Sequence, residues 1–370
     1  MKTRFPYQQL LQEMISIPAL SREEHQRADY LENFLQEWGM PVTRIRNNLL
    51  VGDAERKGNA ARILMNSHLD TVPPGDGWQS DPFIPRVHNG KITGLGSNDA
   101  GASVVTMIAA YHDIRSMLEE DINLMLLISA EEEISGANGI NAVLQGFGHL
   151  DGVIVGEPTG MQPAVAERGL MVIDAEVRGE TAHAAGGGGI NAIYLAIQDI
   201  ESIASLDFPE QSEWLPEPGA QVTMISGGNR HNVVPGSCSY VVDVRSNDKY
   251  GNEEILAMLR ELCKAELIPR STWLKPSLLP GDHFLMGAIT SLGMSPFGSS
   301  TLSDMAIIPF PTVKMGPGDS SRSHAAEEYI LIRELDEGIS HYKQFLQAVA
   351  RVWRNLDKKA LQGNRFEKRK

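Results

Sequence analysis

The stretch "INLMLLISAEEE", residues 122–133, decides how the fold is read. Ile122 to Ser129 are almost all apolar, which fits a strand covered on both faces, as in the parallel sheets of α/β proteins. Three consecutive glutamates, Glu131, Glu132 and Glu133, stand at its carboxyl end. Ligands of open α/β sheets bind just outside the carboxyl ends of the strands. A charge run on a helix face or in a tail needs no special reason, whereas one at the mouth of a buried strand does.

The pattern recurs along the chain. Residues 61–66 form a short apolar strand running into "SHLDTVPP" (67–74), where two prolines stop it. "GVIVGEP" (152–158) reads as a second buried strand and delivers Glu157. Helices are expected between these strands, at Ala100–Leu118 and over 136–144. Upstream, Leu10, Leu11, Met14 and Ile17 recur at helical spacing. Ser21 with Glu24 reads as a capping box opening a helix of about 22–38, with Gly39 as its C-terminal cap. Strands alternating with helices predict a mixed, mostly parallel α/β sheet flanked by helices.

From about Arg168 the strands become one-sided. "LMVIDAEVRG", "QVTMI" and "CSYVVDVRS", the last with Asp243 and Arg245 on one face, alternate with the helical stretches "GINAIYLAIQDIESI" and "NEEILAMLRELCKAE". They predict a smaller α+β domain. After about 276 the chain resumes with "MAIIPFPTVKMG", read as a buried strand, and a helix over 334–353. The expected organisation is a catalytic domain in two pieces, 1–167 and 276–370, with 168–275 inserted between them.

Composition sets the outer limits. A chain of 370 residues favours two domains, and 42% hydrophobic with 22% charged residues permits a large core. No apolar run approaches the ~20 residues of a membrane span, and the N-terminus has no signal-peptide core. Cys238 and Cys263 give no disulfide framework, so a reducing cytoplasm is expected. A net charge of -14 argues against nucleic acid and against an anionic membrane as partners. The basic end, 364–370, reads as a solvated tail.

The titratable residues converge on one edge. Side chains at i and i+2 of a strand share a side, so Asp70 is expected behind His68, accepting its second ring N–H. Asp99, in "GSNDAGAS", lies between a glycine-rich turn and a helix start, where an N-cap is the plainer role. His324 sits in the loop "GPGDSSRSHAAEEY". So many carboxylates in one dry site require counter-cations. Mixed histidine and carboxylate donors suit zinc, cobalt or manganese; calcium normally takes oxygen alone. Two divalent ions carry four positive charges. Three ligand carboxylates and a hydroxide balance them and leave one glutamate free as a base, which favours a two-metal hydrolase.

In their order, "SHLDTVP", "GSNDAGA", "SAEEE", "VGEPT", "GETAHAA", "HNVVPG", "DVRS" and "SRSHAAEEY" resemble the dinuclear zinc hydrolases that include acetylornithine deacetylase, succinyl-diaminopimelate desuccinylase and carboxypeptidase G. The resemblance covers nearly the whole chain and implies a zinc-peptidase-like catalytic domain with an inserted dimerisation or lid domain. It implies that His68, Asp99 and Glu157 hold one metal, and that Asp99, Glu133 and His324 hold the other, with Asp99 bridging. The family's Asp-Glu-Glu triplet appears here as Glu131-Glu132-Glu133, so Glu132 takes the place of the base and Glu133 that of the ligand; a frame one residue earlier gives those roles to Glu131 and Glu132. The family often carries Asp-Met-Lys-Gly after the bridging aspartate, and Asp99-Ala100-Gly101-Ala102 lacks that lysine. A cis peptide after Asp99 is implied as well.

His183 matches a family histidine that reaches the neighbouring subunit's site and stabilises an oxyanion, which implies a homodimer; capping of the helix near Gly189 is its plainer role. Asn232 and Arg245, with Arg168 behind them, match substrate-carboxylate positions. Gly186–Gly189 lacks the Lys-Ser or Lys-Thr of a phosphate loop. The implied activity is hydrolysis of an N-acyl amino acid amide, with two divalent ions, Zn2+ before Co2+, and closest in kind to acetylornithine deacetylase of arginine biosynthesis. Desuccinylases, carboxypeptidases and dipeptidases of the same group are the alternative, and Arg168 or Arg322 would meet a succinyl carboxylate. A serine hydrolase would leave the glutamates without a role, and no Gly-x-Ser-x-Gly elbow is present. A catalytically dead relative would have lost a ligand or the base, and none is missing.

Overall fold

A computed structural model describes residues 5–53 and 58–367, with side chains through 356. The basic end at 364–370 therefore lies outside what is described at side-chain level. The chain divides into two compact units. One comprises residues 1–165, 279–297 and 303–370, and the other 166–278 and 298–302.

The larger unit is built on the two strands expected to be most buried. Ala61–His68 and Ile122–Ser129 are buried at every position and pair in parallel from Ala61↔Ile122 to His68↔Ser129. That register brings His68 and the start of the glutamate run to the same edge. Gly152–Val155 adds in parallel on the far side of Ala61–His68, and Thr312–Lys314 in parallel beyond it. Asn48–Val51 with Val42–Ile45, at one end, and Ala164–Glu167, at the other, run antiparallel. The sheet is thus mixed and mostly parallel at its centre.

Helix Gly101–Leu118 packs on the sheet and against both Tyr7–Ser16 and the C-terminal helix Ile332–Glu367. The opposite face is covered by Ile140, Val143, Phe147, Leu150, Met305 and Ile308. A helix buried on almost every side needs close approach at its start. A Cβ on Gly101 would stand 2.3 Å from the Gly96 carbonyl oxygen. No helix among the described residues is long and apolar enough to cross a membrane.

The smaller unit is an antiparallel sheet in the order Gly219–Gly227, Ser237–Ser246, Gly169–Arg178, Glu266–Pro269, with helices Ala192–Ala204 and Asn252–Leu262. Burial alternates along Gly169–Arg178 as one-sided strands require. Met171, Ile173, Val177, Tyr240, Val242 and Val244 form its core with Ala196, Ile203 and Leu259 of the helices.

Several expectations change. The helix after Ser21 begins at His25, and no side chain caps it, so Ser21 and Glu24 do not form a capping box. Their groups are used elsewhere: Ser21 Oγ donates to Asp70, and Glu24 Oε1 accepts from the backbone N–H groups of Arg22 and Glu131. The 136–144 helix shrinks to Asn141–Leu144, since Gly136 and Gly139 belong to turns. In "MAIIPFPTVKMG" only Thr312–Lys314 is strand, because Pro309 and Pro311 supply no N–H; a 3-10 turn covers Asp304–Ala306. The units divide at 165/166 and 278/279, a few residues from the expected 167/168 and 275/276, and residues 298–302 belong with the smaller unit.

Candidate metal centre

Three strand ends, the turn before helix Gly101–Leu118 and one late loop deliver the expected ligands to a single place in the larger unit. His68 ends its strand nearly inaccessible, at 2% exposure. Its Nε2 lies 3.2 Å from Asp99 Oδ1, 3.7 Å from Glu157 Oε1 and 3.8 Å from Glu132 Oε2. The other oxygen of Asp99, Oδ2, lies 3.7 Å from His324 Nε2, which is 3.0 Å from Glu133 Oε2. Asp99 therefore presents one oxygen to each imidazole. Around it stand Glu157 on the His68 side and Glu133 on the His324 side. Ligand atoms of His68, Asp99 and Glu133 lie within 4.8 Å of one another, as do those of His68, Glu132 and Glu157. The peptide joining Asp99 to Ala100 is cis, and Asp99 does not cap the helix that follows.

The glutamate run divides its labour by backbone geometry. Glu131 has a left-handed φ of 52°, which turns its side chain away from its two neighbours. Its carboxylate accepts from the Asn138 backbone N–H at 3.2 Å and from Asn138 Nδ2 at 2.7 Å. Gly136 leaves room for it: a Cβ there would sit 2.0 Å from Glu131 Oε2. Glu132 and Glu133 stay at the centre, so the geometry supports the frame that begins with Glu132.

Asp70 serves a different partner from the one expected. His68 Nδ1 meets the Asp70 backbone oxygen at 3.0 Å, while the nearer carboxylate oxygen is 3.5 Å away. The carboxylate accepts instead from the backbone N–H groups of Glu132 and Glu133, at 3.1 and 3.2 Å, and from Ser21 Oγ at 2.7 Å. It fixes both the back of His68 and the turn that carries the two glutamates. The cause is that the strand ends at His68, so Asp70 lies past the pleat and the i, i+2 rule no longer applies.

Electrostatics confirm the crowding. Burial pushes the Glu132 and Glu157 carboxyls well above their ordinary range; like charges from Glu157, Asp304 and Glu133 add to this at Glu132, and Asp99 adds to it at Glu157. Burial disfavours charge on His68, yet Glu132, Asp70, Asp99 and Glu157 outweigh it and hold the imidazole well above its usual value. His324 is raised by its hydrogen bond to Glu133. Positive charge at the centre would relieve this crowding, and divalent cations would supply it. Two imidazoles and four carboxylates, with donors converging on both sides of Asp99, fit a pair of such ions.

A direct consequence is measurable. Ligands whose protonated forms are favoured must release protons to bind metal, so metal affinity should rise with pH. Calorimetric titration with zinc in buffers of different ionisation enthalpy should show net proton release. Heats independent of the buffer would contradict this charge arrangement.

Sequence patterns alone missed the support around these groups. Asp304, buried and pushed up to about 6 by desolvation, accepts from Asn66 Nδ2 at 2.7 Å and Ser129 Oγ at 2.8 Å beneath the two central strand ends. Arg27, fully buried, donates to the carbonyls of Leu69 and Ile17 and places its charge near Asp70, Glu328 and Glu24. Glu328 is buried as well, and burial pushes it up to about 7 against the backbone N–H groups that favour its anion. An Arg in an amphipathic helix and the second Glu of "EEY" carry no local sign of such roles. Arg322 is taken by Glu334 through two contacts at 2.8 and 3.0 Å. In "GDSSRS", Asp319 caps a 3-10 turn by accepting from the Ser321 N–H.

The remaining expected residues belong to the smaller unit. His183 pairs with Val233 in a two-residue ladder, next to Asn232, whose carbonyl accepts from the Ala184 N–H. His183 Nδ1 accepts from the Ala185 N–H at 3.2 Å, which leaves the ring proton on Nε2. Arg245 is held by Asp243 through contacts at 2.7 and 3.1 Å. Arg168 Nη2 donates to the carbonyls of Arg245 and Glu217. His183 and Asn232 thus lie near the Ser237 end of strand Ser237–Ser246 and the two arginines at its other end, separated by roughly 25 Å at the rise of a strand. Within one chain they form two groups.

Known proteins agree with this picture. The profile of Peptidase family M20/M25/M40 matches residues 64–348, and the chain belongs to that family, a family of hydrolases. It is 28% identical to acetylornithine deacetylase of Yersinia pseudotuberculosis over 88% of this chain and 92% of the relative. The fold is shared with aminopeptidase PepT of Bacillus cereus (TM-score 0.73, 21% identity, 94% of this chain and 100% of that one). It is also shared with the YXEP protein of Bacillus subtilis, described as a dinuclear metal binding peptidase of the M20 family (TM-score 0.68, 15% identity, 94% and 97%).

Proposed function

We propose that this protein hydrolyses the amide bond of an N-acylated amino acid, with acetylornithine the first substrate to try and two divalent ions, Zn2+ before Co2+, at the centre around Asp99. The observation that carries the reading is Asp99 facing an imidazole with each oxygen, with Glu157 and Glu133 on opposite sides and Glu132 to spare. The donors assigned are His68, Asp99 and Glu157 for one ion, and Asp99, Glu133 and His324 for the other. Bound there, divalent cations supply a water of lowered pKa and polarisation of the acyl carbonyl.

The chain's own groups do the rest. Glu132 takes a proton from the attacking water and returns it to the leaving amine, a role suited to a carboxyl that burial holds well above its ordinary range. Asp70 keeps Glu132 in place through its backbone N–H and keeps His68 oriented from behind. His183, with its proton on Nε2, is equipped to donate to a developing oxyanion. Asn232, Arg245 and Arg168 are the groups assigned to the substrate's carboxylate. Arg245 would have to share Asp243 or exchange it for the ligand.

A second copy of the chain would pack on the smaller unit. Strand Gly219–Gly227 is an unpaired edge carrying exposed Met224 and Ile225, and Ile190, Tyr194 and Ile197 are exposed in and just before helix Ala192–Ala204. A homodimer joined there would cover these side chains. His183→Ala is expected to lower kcat about a hundredfold, as loss of an oxyanion donor does, while metal content stays at wild type. Mixed dimers of that variant with a metal-site variant should recover part of the rate; no recovery at any mixing ratio would remove His183 from a partner's site.

On this reading the protein belongs to arginine biosynthesis in the cytoplasm. Curated relatives named acetylornithine deacetylase support the acyl substrate. Incubation of zinc-loaded enzyme with acetyl and succinyl derivatives of ornithine, citrulline and diaminopimelate, and with dipeptides, tests it by amine release. Turnover of acetylornithine supports the reading. Turnover of dipeptides alone overturns it in favour of a peptidase.

A further inference from the structure

The ligands assigned to one ion, Asp99 and His324, come from loops far apart in sequence, and one side chain laces those loops together. Glu328 follows His324 by one turn of the loop and is 2% exposed. Its Oε1 accepts the backbone N–H of Asn98 at 2.7 Å and of Asp99 at 2.9 Å, and its Oε2 accepts that of Gly96 at 3.0 Å. Its own carbonyl accepts from the Gly94 N–H at 3.0 Å. The next residues, Tyr329–Leu331, pair with Lys91–Thr93, so the anchor is continuous with a sheet. From the other direction, Asn98 Nδ2 donates to the Asp319 carbonyl at 3.1 Å, and its Oδ1 accepts from the Asp319 N–H at 3.1 Å.

Three backbone N–H groups converging on a buried side chain require an acceptor with two oxygens and no donor. A carboxylate meets this requirement, and an amide does not. Arg27 lies behind and supplies positive charge near Glu328 and Asp70, while its donors hold the Leu69 carbonyl between His68 and Asp70. The backbone on both sides of the centre is therefore held by buried protein side chains.

We propose that Glu328 is a positioning residue that orients the Asp99 carboxylate between His68 and His324 and so preforms the metal centre before any ion arrives. The inference rests on the reading of Asp99 as the bridging ligand. Glu328 touches neither substrate nor ion; it acts through the backbone of Asp99.

The test is Glu328→Gln. An amide places an N–H donor against a backbone N–H and leaves at least one of them without an acceptor. Zinc and cobalt dissociation constants, measured by chelator competition, should rise about ten- to a hundredfold, the range found when groups that orient ligands are removed. The visible spectrum of the cobalt-saturated variant should differ from wild type, because the ligand geometry has moved. A merely structural role would lower the thermal midpoint and leave the saturated cobalt spectrum unchanged, and that result overturns the proposal. Should the glutamine variant not fold, Glu328→Asp, which keeps both oxygens but retracts them by one methylene, is read by the same two assays; wild-type affinity and spectrum then overturn it. Asp99→Asn measured in parallel separates the two ideas: if that variant keeps both ions, the bridging reading itself fails, whatever Glu328 does.

Discussion

Glu132→Gln is expected to bind two metal ions with near-wild-type affinity and to lose about 10³-fold in kcat, the middle of the range for loss of a general acid–base. Glutamine keeps the shape of the side chain and the Glu132 N–H bond to Asp70, so the turn should hold. What disappears is a group that accepts a proton. Of the carboxylates at the centre, Glu132 is the one left over once Glu157 stands with His68 and Glu133 with His324. The companion Glu131→Gln separates the two possible frames. Glu131 is turned toward Asn138, so its loss should leave most of the turnover intact. Full activity in Glu132→Gln, with activity lost in Glu131→Gln, would shift the frame back by one residue.

Asp99→Asn is expected to cost more binding than any other single substitution at the centre. Its two oxygens face two different imidazoles, so it is the one group whose removal touches both positions. Asparagine offers one acceptor oxygen and turns an N–H2 toward the other imidazole, and the negative charge between the two cation positions is gone. Affinity at both positions should fall by more than the roughly hundredfold that follows loss of a supporting partner. Elemental analysis after dialysis should find less than one ion per chain. Loss confined to one position would mean that Asp99 is a terminal ligand and that the centre is organised around another carboxylate.

Much of this centre is legible in sequence because its ligands obey a local rule. His68, Glu132, Glu133 and Glu157 each follow a run apolar enough to be a buried strand, and such strands end at one edge of the sheet. Their presence together follows from the parallel register of Ala61–His68 with Ile122–Ser129 and Gly152–Val155. The supporting groups are hidden for the opposite reason. Ser21 and Glu24 have the spacing of a capping box, and tertiary contacts with Asp70 and Glu131 override that local use. Glu328 and Asp304 act on partners more than two hundred positions away, Asp99 and Asn66, and no periodicity records such contacts. Asp70, expected on the strand, lies two residues beyond its end. Arg245 shows the limit of face arguments: Asp243 and Arg245 do share a face, and for that reason the arginine is held by its neighbour.

The central claim is that residues from distant parts of the chain gather around a pair of divalent ions on either side of Asp99. Crystals grown with zinc and measured at the zinc absorption edge test it most directly. Two anomalous peaks are predicted, one among His68, Asp99 and Glu157, and one among Asp99, Glu133 and His324. A single peak, or peaks elsewhere with these side chains unliganded, would contradict it.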